Sequence, residues 1–272
     1  MKRIGVLKNR SRRVALFVLA LFITSVETFA YIPPSGFILK TWVGRHSAIK
    51  LVRVRQQVTP FKDGKPLDLH FKETLFFGSA FSGFKSFIQD EAGRKVESME
   101  KPAEKASAVT MLLLGSDPNQ VGTNLKAQGI PILLDADLMA LPTEDDRYKA
   151  EDQSMSRWKN NPAWVIGQKA QVWFQKDNFQ PVRLMIPSES YGQEVEYQFD
   201  EMSGGFSYPR LLTIAKRKTG EILFQSRLID ISPVSEGSIP AQFFESGSPD
   251  LEKKGISEEL SAFVKTYYNV LR

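Results

Sequence analysis

Ten short segments whose apolar and polar residues tend to alternate limit this chain more than any other feature it has. They fall at residues 49–60, 67–77, 83–90 and 94–99, and again at 163–167, 170–176, 181–187, 193–200, 208–217 and 221–231. A period of two is the mark of a half-buried strand, because successive side chains of an extended chain point to opposite faces. In 67–77, Leu67, Leu69, Phe71, Leu75 and Phe77 share one face, while Asp68, His70, Lys72 and Thr74 share the other. In 193–200, Val195, Tyr197 and Phe199 stand opposite Glu194, Glu196 and Gln198. Asp63-Gly64, Lys176-Asp177-Asn178, Ser203-Gly204-Gly205 and Lys218-Thr219-Gly220 supply turn chemistry between segments. Connections this short join antiparallel neighbours, so the pattern predicts one large meandering sheet.

Helical spacing accounts for much of the remainder. Residues 33–46 carry Phe37, Ile38, Trp42 and Val43 behind Pro33-Pro34-Ser35. Residues 102–113 and 117–128 read as two short helices parted by Gly115-Ser116-Asp117-Pro118, and 129–160 as loop with one helical turn. The block at about 100–160 is therefore expected to be a helical insertion in a single domain over 31–272. A last helix is expected at about 249–271, begun by Ser248-Pro249-Asp250 and striped by Ile256, Leu260, Phe263, Val264, Tyr267 and Leu271. The fold class expected is α+β, a curved antiparallel sheet packed on helices.

The first thirty residues read as a signal peptide. A basic head (Lys2, Arg3, Lys8, Arg10, Arg12, Arg13) precedes the apolar run 14–23 and a polar exit ending Thr28-Phe29-Ala30. That run is too short to anchor in a bilayer, which takes roughly 20 apolar residues. Cleavage is expected near Ala30, giving a soluble periplasmic protein. The same segment explains the chain's net charge of +5: it holds six basic residues and one acid, leaving thirty of each sign in 31–272. A basic balance would otherwise suggest nucleic-acid binding, and that reading loses its support. The absence of cysteine removes both disulfides and thiol chemistry, so a packed core must stabilise the exported chain.

Catalysis needs groups that titrate or attack, and few are present. The two histidines, His46 and His70, read as structural, and no nucleophile elbow, phosphate loop or zinc helix occurs. Asp135-Ala136-Asp137 lacks the further ligands and the glycine of a calcium loop. No enzyme activity, no metal site and no cofactor are expected. What remains is aromatic content: Phe71, Phe77, Phe81, Phe84 and Phe87 crowd the early strands, and Trp173, Phe174, Tyr197, Phe199 and Phe224 the later ones. These rings fill a core, or they line a partly filled concave face able to take acyl chains.

Residues 171–214 (QVWFQKDNFQPVRLMIPSESYGQEVEYQFDEMSGGFSYPRLLTI) resemble the LolA-like family of periplasmic outer-membrane lipoprotein-sorting proteins. The resemblance lies in an aromatic strand, a turn, Pro181 with Arg183, an alternating strand, and Pro209-Arg210 ahead of the next strand. The exit at 238–244 agrees in order. It implies an unclosed half-barrel wrapped on helices, with an apolar cavity shielding acyl chains of lipids or lipoproteins in transit. Envelope membrane proteins are the further partners expected, and nucleic acid is not. On alternation, the cavity-wall candidates are Leu69, Phe71, Leu75, Phe77, Val195, Tyr197 and Phe199. The second function class is an envelope interaction or sensor module that binds a partner protein and no lipid, and the third an enzyme acting on an envelope polymer, which would need acids or His70 lining a cleft.

Overall fold

A computed structural model describes residues 32–47, 49–79, 83–141, 143–187, 192–199, 207–244 and 257–272. The chain falls into two units, Met1–Pro33 and Pro34–Arg272, and the second carries everything that follows. The expected signal peptide at 1–30, the turn at 203–205 and the helix start at 248–250 lie outside the described residues.

Twelve strands are described: β1 (Val52–Lys62), β2 (Lys65–Pro66), β3 (Phe71–Phe77), β4 (Gly83–Gln89), β5 (Lys95–Pro102), β6 (Gln153–Trp158), β7 (Asn161–Ile166), β8 (Gln171–Gln175), β9 (Pro181–Ile186), β10 (Gln193–Gln198), β11 (Leu211–Lys216) and β12 (Ile222–Pro233). They run in the order β5-β4-β3-β1-β12-β11-β10-β9-β8-β7-β6, with β2 off this path beside β1. Among the described residues β5 and β6 end the sheet and do not pair with each other, so it is not closed into a barrel. The expected α+β half-barrel is the fold observed.

The hairpins follow their turn residues. Asp63 (φ 51°) and Gly64 (φ 73°) are both left-handed, the geometry of a two-residue turn between β1 and β2. Lys159 (φ 48°) and Asn160 (φ 70°) do the same between β6 and β7. The latter corrects the expectation of loop with one helical turn over 129–160. That stretch holds two short helices and β6. The strand escapes a periodicity search because Ser154, Met155, Ser156 and Arg157 are all exposed at the edge of the sheet. A second correction concerns residues 67–70, which precede β3 rather than belong to it; there His70 Nδ1 meets Thr59 Oγ1 at 3.0 Å, half-buried.

The helices are α1 (Ser35–Ser47), α2 (Ala108–Leu114), α3 (Pro118–Ala127), α4 (Asp135–Met139), α5 (Glu144–Glu151) and α6 (Glu258–Leu271). Side chains cap four of them: Ser107 for α2, Asp117 for α3 with Pro118 following, Thr143 for α5 and Ser257 for α6. Glu258 and Glu259 complement the dipole in the first turn of α6. α1 buries Ile38, Leu39, Trp42 and Val43, and all seven residues of α2 are buried. Trp42 Nε1 donates to Leu112 O at 2.7 Å, tying α1 to α2.

α6 packs on the inner face of the sheet, the one that carries Phe71 and Phe224. On the outer face, Leu51, Phe76 and Phe87 form a separate cluster. It is covered by Val234, Ile239 and Phe244, from a strap of two 3-10 turns that follows β12. β3 is thus buried on both sides.

Candidate functional site

The inner face is built by register. Phe71 of β3 pairs with Val58 of β1, Val58 with Ser226 of β12, Ser226 with Leu212 of β11, and Leu212 with Tyr197 of β10. Directly opposed residues of antiparallel strands share a face, so these five form one row. Val195 lies in the next row, paired with Ile214 and through it with Phe224. Leu75 and Phe77 pair with Val54 and Val52. Phe71, Leu75, Phe77, Val195 and Tyr197 are all buried on this face. Leu69 lies in the loop before β3, and Phe199 just beyond β10; both are half-buried. The Phe199 ring meets Trp42 edge-on at 5.5 Å.

Helix α6 covers the β3 side of this face. The Tyr267 ring stands edge-on to Phe71 and to Phe224, at 5.4 Å from each. Below it lies a buried polar cluster. Glu73, on the apolar face between Phe71 and Leu75, takes both prongs of the Arg272 guanidinium, from Nε at 2.9 Å and from Nη2 at 2.7 Å. Its oxygens also accept from Tyr267 OH (2.7 Å), Ser86 Oγ (2.7 Å) and Gln56 Nε2 (2.5 Å). Tyr208 OH donates to Gln56 Oε1, and Tyr268 OH shares a hydrogen bond with Ser86 Oγ. Arg272 Nη1 donates to Thr110 Oγ1 at 3.3 Å, and Ser107 N to Arg272 O at 3.1 Å, which fastens the end of α6 to the start of α2.

Glu73 and Arg272 side chains are both wholly buried. Burial pushes the Glu73 carboxyl up, but the Arg272 charge and the hydrogen bonds from Arg272, Tyr267 and Ser86 reverse this, holding it below the ordinary glutamate value. Burial acts to lower Arg272 in turn, and the Glu73 charge outweighs it, so the guanidinium is held more firmly. Burial raises Tyr208 to about 12 and carries Tyr197 and Tyr267 well above the usual phenol range. The cluster is charged, paired and closed to water.

Sequence reasoning missed this cluster, although a signal was there. Glu73 sits at the same parity as Phe71 and Leu75, and a charge on an apolar face is seldom left unpaired. Two further buried polar atoms on the inner face, Tyr197 OH and Ser226 Oγ, have no hydrogen-bond partner among the described residues. Both belong to the Phe71 row.

Two cavities are present, one at the seam between β4 and the helices and one between α3 and the 3-10 turn that precedes α2. One, of about 360 Å³, is lined by Phe84, Ala106, Thr110, Met111 and Leu114 among others. The other, of about 370 Å³, is lined by Glu104, Asn119, Thr123 and Ala127. Ala103, Met111 and Gln120 border both. None of the seven wall candidates lines either one. Among the described residues no group of three His, Cys, Asp or Glu could hold a metal ion, and no helix is long and apolar enough to cross a membrane.

The residues that carry the family resemblance are elsewhere. Arg183 lies over the indoles of Trp158 (4.6 Å) and Trp173 (5.3 Å) and pairs with Glu194. Pro181 opens β9, and Pro209 is buried ahead of β11.

No family model matches the sequence, and no curated protein matches it. Solved structures do. A LolA superfamily protein from Nitrosomonas europaea is similar over 79% of this chain and 99% of its own, at 12% identity and a TM-score of 0.47. An outer membrane lipoprotein-sorting protein domain from Vibrio parahaemolyticus is similar over 76% and 96%, at 7% identity and a TM-score of 0.42. A DUF1329 family protein from Desulfovibrio piger is similar over 78% and 96%, at 10% identity and a TM-score of 0.39.

Proposed function

We propose that this protein is an exported, periplasmic, non-catalytic carrier that shields the acyl chains of lipids or lipoproteins against the concave face of its half-barrel. The observation that carries this reading is the inner face itself. A row from Phe71 to Tyr197 crosses five strands of an unclosed sheet, and helix α6 rather than a second sheet covers its Phe71 end. Short helices can shift as units, whereas a second sheet would be locked by its own ladders. The cavity of about 360 Å³ beside Phe84 and the one of about 370 Å³ among the helices lie within the ~300–1,000 Å³ range of small-molecule sites. The unpartnered hydroxyls of Tyr197 and Ser226 add polar atoms that a ligand or water would satisfy. The wall on this reading comprises Leu69, Phe71, Leu75, Phe77, Val195, Tyr197 and Phe199.

Mass spectrometry of whatever co-purifies with the exported protein tests the proposal. Lipid or acylated peptide in stoichiometric amount is expected. A protein that carries no lipid and takes up no hydrophobic probe would overturn it. The full burial of the Glu73–Arg272 pair favours a second reading, in which the inner face is permanently filled and the protein is an envelope interaction or sensor module. Crosslinked capture of one envelope protein, with no lipid present, would support that alternative.

A further inference from the structure

Helix α6 sits where the acyl-chain reading places a ligand. Its Tyr267 ring covers Phe71 and Phe224, its Tyr268 hydroxyl reaches Ser86, and its last residues are bound to α2. It also carries a charge into the wall. Arg272 is the cation that touches Glu73 among the described residues; the carboxylate's other partners, Gln56, Ser86 and Tyr267, are neutral. The Nζ of Lys101 goes to Arg272 O instead.

That arrangement restricts what can take the place of α6. If an apolar occupant takes the helix's place, Glu73 is stranded between Phe71 and Leu75 as a carboxylate without a cation, and a lone buried charge is among the most unfavourable states a core can hold. A neutral acyl chain could replace the contacts of Tyr267 with Phe71 and Phe224 but would leave that charge uncompensated. An amphiphile with a cation at one end replaces both. We propose that α6 is a displaceable internal occupant of the half-barrel, and that the ligand replacing it is a cationic amphiphile whose ammonium or guanidinium group pairs with Glu73. The inference rests on the acyl-chain reading above and narrows it to a head-group charge.

The test uses the full mature chain and three probes of equal tail length: dodecylammonium, dodecanol and dodecanoate. Binding is read by displacement of a fluorescent hydrophobic probe, and the state of α6 by hydrogen exchange over residues 258–271. Dodecylammonium is expected to bind at least about tenfold more tightly than dodecanol, the scale of a hydrogen bond to a charged group. It is also expected to deprotect 258–271 while the strands stay protected. In Glu73→Gln the preference should collapse to within about threefold, since the charge that selects the probe is gone. Should that variant fail to fold, Arg272→Lys serves: losing the two-pronged grip should loosen α6 and tighten dodecylammonium binding. If 258–271 exchanges only with the sheet, and no probe changes that, α6 is permanent core and the inference falls. Equal binding of all three probes also overturns it while leaving the carrier reading intact. Binding of none, with no co-purified lipid, overturns both.

Discussion

Tyr267 sets its ring edge-on against Phe71 at 5.4 Å, so a side chain that the sequence offers as cavity wall lies beneath a helix. Access to the inner face is therefore a question about α6 as much as about the sheet.

Phe71→Asp is expected to abolish lipid uptake, and Lys72→Asp, at the one exposed position of the same strand, to leave it unchanged. Because Phe71 is buried, the variant's folding must be checked first. Phe71→Ala removes the same ring without burying a charge, at a cost of about 3–5 kcal/mol in urea unfolding. Equal loss of uptake from the Phe71→Asp and Lys72→Asp proteins would remove Phe71 from the wall.

Acid should weaken the fold through Glu73. Its folded value lies below the unfolded one, so its stabilising contribution is complete above the ordinary glutamate value of about 4.3 and is lost as pH falls through the folded value. Glu73→Gln is expected to cost about 3–5 kcal/mol at neutral pH, since Arg272 is left buried without its partner. It should also flatten the pH dependence. Asp137 and Asp230, likewise held low but near the surface, remain in both proteins and cancel in the comparison. Parallel urea-midpoint curves for the two proteins between pH 7 and pH 3 would show that Glu73 is not the group responsible.

Gln120→Trp separates two routes for an acyl chain. Gln120 is exposed on α3 and borders both cavities, so an indole there obstructs them with little effect on stability. If acyl chains enter at the helix–sheet seam, uptake of a photoactivatable fatty acid should fall about tenfold, as loss of a well-filled apolar site would give. Unchanged labelling would direct attention to the Phe71–Tyr197 row instead.

Asn160→Val tests the β6–β7 hairpin. A β-branched residue at φ 70° costs about 1–2 kcal/mol, and a lowered thermal midpoint is expected. An unaltered midpoint would mean that the edge hairpin contributes nothing to global stability.

Much of the sheet was legible because burial on one face writes itself into alternation. β10 is the clean case, with Val195 and Tyr197 buried and Glu194 and Glu196 only half-buried on the other side. β6 was not legible, because an edge strand with four exposed residues has no apolar face to alternate, and Lys159-Asn160 is a weaker turn signal than Asp63-Gly64. The candidate site was half legible. Register placed Phe71 and Tyr197 on one face as alternation predicted, whereas Leu69 and Phe199 fall outside the strands. The polar cluster was hidden because its members come from β1, β3, β4, α2, α6 and the segment before β11, and one-dimensional spacing cannot show which distant residue neutralises Glu73.

The strap over the outer face has a consequence for solubility. The run Thr74–Phe77 carries no charge and is buried on both sides of the sheet, with Phe76 sealed by a segment more than 150 residues later in the chain. Until residues 234–244 are made and docked, Phe76 of β3 and Phe87 of β4 face water on strands of high β propensity, the setting in which chains pair with one another. A full-length chain with Val234, Ile239 and Phe244 all replaced by Ser is expected to self-associate, visible as light scattering at concentrations where the unaltered protein stays monodisperse. The strap then acts as a seal against self-association, and the chain depends on its own late residues to keep its early ones apart from those of other copies.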